Sequence, residues 1–113
     1  MLERVFARCE GAYAEVTLRG YRRDLEIFAT WCSERGEDFM PSTARAVARF
    51  IDEQVTKYSY ATIKRRISAI QFLHRLSDVP SPVLGSDVYL ALRRAGRTKG
   101  RRPKQARGLT AEI

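Results

Sequence analysis

From Leu18 onward the apolar residues Leu18, Tyr21, Leu25, Phe28 and Cys32 recur at three- and four-residue steps, the stripe that one face of a helix must bury. Thr17 stands where a cap is wanted and Gly36 where a stop is wanted, so the pattern predicts a helix over 17–35. Pro41 and Ser42 lead into a second stripe of Val47, Phe50, Ile51 and Val55, which predicts a helix over 43–56. The clearest repeat lies in ATIKRRISAIQFLHRL. Ile63, Ile67, Ile70 and Leu73 fall on one side of it and Lys64, Arg65, Ser68 and Gln71 on the other, giving a helix over 60–76. SDVPSPVLGS then brings two prolines and a glycine, turn chemistry that ends this helix before Ser86 caps another over 86–97. Val88, Ala91, Leu92 and Ala95 form its apolar side. Residues 2–10 suffice for a short leading helix. Nowhere does apolar–polar alternation run long enough for a strand, so the expected fold is all-α, a compact bundle of four main helices.

A chain of 113 residues, 44% hydrophobic and 30% charged, is long enough for one modest core and has ordinary globular composition. Residues 1–97 are expected to be that domain. Arg93 to Arg107 hold eight Lys or Arg and no acid, with two glycines and a proline, and read as a basic linker. Residues 98–113 are therefore assigned to linker and to the start of a further domain, because GLTAEI has the Thr-x-Glu-apolar pattern of a helix beginning. Charge narrows the partner: 21 Lys and Arg against 13 Asp and Glu leave +8, which favours a polyanion. No run of eighteen apolar residues spans a membrane and MLERVFARCEG lacks a secretory apolar segment, so the expected location is the cytoplasm and no membrane partner is expected. Cys9 and Cys32 lie far apart beside a single histidine. That set cannot make a four-ligand zinc site; both are expected to be reduced thiols, with no metal and no cofactor.

The first long helix carries Arg19, Arg22 and Arg23 in its opening turns, where the helix dipole disfavours cations by a few tenths of a kcal/mol each when exposed. Gly20 costs about 1 kcal/mol more against alanine. A solvated face paired with Asp24 and Glu26 accounts for the arginines taken alone. The second basic face at Lys64 and Arg65, the linker and the net charge together favour one anionic ligand. Trp31 is expected to flank the core and His74 to be a packing residue. None of the five tyrosines is assigned as a nucleophile.

TLRGYRRDLEIFATWCSERG resembles the opening helix of the core-binding, SAM-like domain of tyrosine recombinases, in which T-L-x-x-Y-x-x-D-L is common in the Xer and phage-integrase branch. FMPSTARAVARFID resembles the Pro-led second helix. YATIKRRISAIQFLHRLSDVPSP resembles the third helix of Cre-like members, and VYLALRR the last. The resemblance covers residues 13–113 and rests on the order and spacing of four helices and the linker. It implies one half of a C-shaped clamp on double-stranded DNA, self-association into a synaptic tetramer in the full-length protein, and a bacterial or phage-encoded, nucleoid-associated setting. It also implies that the catalytic residues lie in a C-terminal domain beyond GLTAEI, so this chain is expected to bind DNA and not to cut it. A free-standing helical DNA-binding regulator is the alternative for the same residues.

The resemblance carries DNA-facing positions onto Thr17, Arg19, Gly20 and Arg23 of the first long helix and Thr62 and Arg65 of the third, with Lys64 beside them. Thr17 and Thr62 are suited to phosphate oxygens at helix starts. Arg23 and Arg65 are suited to base edges, since a guanidinium grips guanine O6 and N7 with parallel bonds. Gly20 stands where related proteins can carry a base-contacting side chain, and supplies none. Arg93, Arg94 and Arg97 are expected to add phosphate contacts, and Lys99, Arg101, Arg102 and Lys104 to cross the backbone. With helix N-terminal halves both basic, the first and third long helices are expected to meet one groove together.

Overall fold

In the computed structural model, which describes residues 2–99, the chain forms five α-helices and one 3₁₀ turn. They are α1 (Leu2–Arg8), α2 (Glu15–Arg35), α3 (Ala44–Gln54), α4 (Tyr60–Leu76) and α5 (Ser86–Lys99), with the 3₁₀ turn at Pro82–Leu84. No strand occurs among the described residues. The all-α reading holds, with the leading helix shorter than 2–10.

Several ends differ from the pattern. α2 starts two residues before Thr17: Ala14 occupies the cap position without a side-chain bond, its carbonyl accepts from Leu18 N–H at 3.1 Å, and Glu15 provides the first-turn carboxylate. A carboxylate there interacts with the helix dipole and replaces the hydroxyl cap expected of Thr17. Gly36 does stop the helix, in the left-handed region at φ 69°. α3 is capped by Thr43, whose hydroxyl accepts from Ala46 N–H, and α4 by Ser59, whose hydroxyl accepts from Thr62 N–H. Ser86 is the first residue of α5 and not its cap; the Gly85 carbonyl accepts from Tyr89 N–H at 3.1 Å.

The last helix, expected to give way to linker after residue 97, remains helical to Lys99. The reason is tertiary. A β-carbon at Gly96 would stand 3.3 Å from the Tyr60 ring and hydroxyl, so glycine lets α5 lie close against the start of α4, and that packing offsets its low helix propensity.

The core is built from the predicted stripes. Leu25, Phe28, Val47, Phe50, Ile51, Ile63, Ile67, Ile70, Leu73, Val88, Ala91 and Ala95 are buried, each large aliphatic or aromatic side chain contributing about 1.5–3 kcal/mol by leaving water. Phe28, Trp31 and Phe50 pack ring to ring, and Trp31 Nε1–H donates to Glu53 Oε1 at 3.0 Å. His74 is fully buried: Ser42 N–H donates to its Nε2 at 2.9 Å and Nδ1–H donates to the Ile70 carbonyl at 2.8 Å. The imidazole is thus fixed in one neutral tautomer and ties α4 to the loop before α3. Cys9 and Cys32 are buried free thiols, the latter pushed up to about 11, chiefly by burial.

Candidate nucleic-acid interface

α2 and α4 pack antiparallel. Tyr21, early in α2, meets Phe72, late in α4, with ring centroids 4.8 Å apart, while Asp24, one turn on, meets Arg65, two turns back. The two helix N-termini therefore lie at opposite ends of the seam. The expectation of two N-terminal basic halves side by side is corrected by this geometry: Thr17 stands at the Phe72–Arg75 end, and Thr62 and Lys64 at the other.

Asp24 is the largest departure from the sequence reading. It is not a solvated partner for the arginines of its own helix. Its side chain is wholly buried, and its carboxylate accepts from Arg65 Nε at 2.8 Å and Nη2 at 2.9 Å. Arg66, also buried, brings Nε to 3.7 Å of the same carboxylate and lays its guanidinium 4.2 Å from the Tyr58 ring centroid. Its Nη1 donates to Gln54 Oε1. Two cations against one buried carboxylate leave this seam positive. The paired carboxylate also raises the Arg65 pKa, mainly through its hydrogen bonds.

The arginines of α2 separate. Arg22 turns toward α1, pairing with Glu3 at 3.3 Å and covering the Phe6 ring at 4.7 Å, and Arg19 lies on that side with Glu10 and Glu15. Arg23 lies on the opposite flank, by Glu26 and Tyr58. Gly20 carries no side chain to block the surface, and a β-carbon there would meet nothing within 4 Å.

A second basic group forms where α4 begins. Lys64 Nζ lies 5.4 Å from the Tyr60 ring centroid, and Arg93, Gly96 and Arg97 border that same ring. Arg94 belongs elsewhere: it grips Asp52 of α3 with contacts of 2.9–3.3 Å, on the other side of α5. The sequence grouped Arg93, Arg94 and Arg97; helical geometry sends the middle one to a different partner. Lys99 ends α5 in the described fold, whereas Arg101, Arg102 and Lys104 lie outside the described residues.

Arg22, Arg35, Arg49 and Arg94 are engaged with carboxylates that join elements. Arg19, Arg23, Lys64, Arg75, Arg93 and Arg97 form no ion pair among the described residues. Arg75 was not among the residues singled out in the sequence. It lines a hollow of about 240 Å³ with Tyr21, Ser68 and Gln71, and the signal that finds it is its seven-residue spacing from Ser68 on the polar side of α4. No cluster of metal-ligating side chains occurs among the described residues, and none of their helices is long and apolar enough to cross a membrane.

Compared with known proteins, residues 7–77 match the family model described as phage integrase, N-terminal SAM-like domain. No curated protein matches the chain.

Proposed function

Because the chain belongs to the phage integrase N-terminal SAM-like domain family, we propose that it is the DNA-binding part of a site-specific recombinase, holding duplex DNA at a recombination site while a separate catalytic domain breaks and rejoins strands. The observation that carries this reading is the seam of α2 and α4. It exposes Arg65, Lys64 and Arg75 along one strip, with Gly20 open beside them and Arg93 and Arg97 around Tyr60 at one end.

The roles follow from chemistry. Lys64, Arg75, Arg93 and Arg97 supply phosphate contacts, which position the duplex without reading it. Thr17 and Thr62, in the first turns of their helices, add hydroxyls where backbone N–H groups and the dipole already favour an anion. Arg65 is the residue for a base edge. Arg19 and Arg23 flank the strip and contribute to the field felt by the approaching polyanion. In the sequence after Lys99, Arg101, Arg102 and Lys104 add further basic residues, assigned by the same proposal to the DNA backbone. Self-association into a synaptic tetramer and a cytoplasmic, nucleoid-associated location belong to the same proposal.

Titration of the 113-residue chain against duplex DNA at several salt concentrations tests it. Six phosphate contacts give a slope of about −5 in log affinity against log salt. A flat response would remove duplex DNA as the partner.

A further inference from the structure

The bond between Arg65 and Asp24 selects one edge of the guanidinium. Nε and Nη2 face the two carboxylate oxygens, so both bonds fall on the lateral edge. The carboxylate is wholly buried, yet the Arg65 side chain remains 49% exposed on the strip. Nη1 makes no hydrogen bond among the described residues. The guanidinium carries five N–H groups in a planar fork, so its terminal edge, formed by Nη1 and the outer hydrogen of Nη2, keeps a parallel pair of donors. That pair matches O6 and N7 of guanine in the major groove.

Burial of Asp24 matters as much as the pairing. An exposed carboxylate would swing with the arginine, whereas one held in the helix seam with Arg66 behind it at 3.7 Å cannot follow a mobile partner. An unrestrained arginine loses rotamer freedom when it grips a base; here the fold has already removed that freedom.

We propose that Asp24 is a positioning residue for sequence recognition: it fixes Arg65 in the α2–α4 seam with its terminal donor edge free for a guanine of the bound duplex. The proposal rests on the strip being a DNA surface, and it adds that the residue reading the base is held in place by one that does not itself contact DNA. A cytosine or a thymine at that position meets the same edge without two matching acceptors.

Selection of binding sites from a random duplex library, followed by replacement of single guanines with 7-deazaguanine, tests it. The wild-type chain should show one guanine whose N7 deletion lowers affinity about tenfold. Arg65→Lys, which keeps a cation beside Asp24 but has no fork, should collapse the ratio of selected to scrambled duplex affinity about tenfold and abolish the 7-deazaguanine effect. Asp24→Asn should do the same, and should cause no further loss of that ratio in the Arg65→Lys background. Asp24→Glu keeps the charge beside Arg66 while displacing the guanidinium, and gives the same readout if the asparagine variant does not fold. A folded Asp24 variant that retains the guanine preference overturns the proposal, as does a further loss in the Arg65→Lys background. Salt-dependent binding without any Arg65-sensitive guanine overturns it while leaving the DNA surface intact; absence of salt-dependent binding overturns both.

Discussion

Gly20 is a cost in the free chain that no neighbouring atom requires. A β-carbon at that position meets open space, so Gly20→Ala requires no shift of any neighbour. The substitution should stabilise the fold by about 1 kcal/mol, seen as a higher melting temperature. It should also weaken duplex binding, because the added methyl holds a phosphate or base edge away from the α2 backbone. A more stable variant that binds DNA equally well would show that the glycine has no part in close approach. His74 gives a second test at this scale. Burial holds its folded pKa below the usual value near 6.5, so the unfolded chain takes up a proton first as pH falls. Its contribution is complete above about pH 6.5 and is lost progressively as pH drops toward the folded pKa. The chain has one histidine, and the urea midpoint should therefore be lower at pH 5.5 than at 7.5. A midpoint that does not change across that interval would contradict the buried neutral imidazole.

Among elements, α5 divides its cations between two tasks. Arg94 joins α5 to α3 through Asp52, whereas Arg97 borders Tyr60 with Arg93. Arg94→Gln should lower the melting temperature slightly and leave the salt slope of DNA binding in place, while Arg97→Gln should reduce that slope by about one. Equal effects of the two on the slope would mean that the Asp52 pair opens when DNA binds. The same division shows where sequence reading succeeds. The stripes of α2, α3 and α4 were legible because three- and four-residue spacing of Phe28, Phe50 or Ile67 reflects burial directly. The start of α2 was not, because Val16 is an exposed apolar residue off the stripe and Ala14 has no capping side chain. The reason for Gly96 within α5 was hidden because it lies in Tyr60, thirty-six positions earlier, and in nothing local.

For the whole molecule, the charge excess is distributed by topology. The carboxylates of Glu3, Asp52 and Glu53 are drawn into ion pairs between helices, and Asp24 into the seam, which leaves Lys64, Arg75, Arg93 and Arg97 without an ion-pair partner among the described residues. Net charge alone favoured a polyanion as the expected partner and did not say which side would meet it. Arg65 and Lys64 were readable as a basic face. Asp24 was not readable as the residue that orients it, since an aspartate beside arginines on an amphipathic helix looks solvated until the partner helix, forty-one residues away, closes over it.

The antiparallel course of α2 and α4 also sets a length. From Thr62 to Arg75 the strip runs thirteen residues, about 20 Å at the helical rise, and the major groove is about 12 Å wide. Laid across that groove, the strip overhangs it on both sides. On the proposed DNA-binding reading each end would meet a phosphate ridge, with Thr17 and Arg75 at one and Thr62 and Lys64 at the other, and Arg65, one turn or about 5 Å in from Thr62, would stand over that edge of the groove. The domain would act as a bridge with two abutments, and its register along the duplex would be fixed by the gap it spans before any base is read.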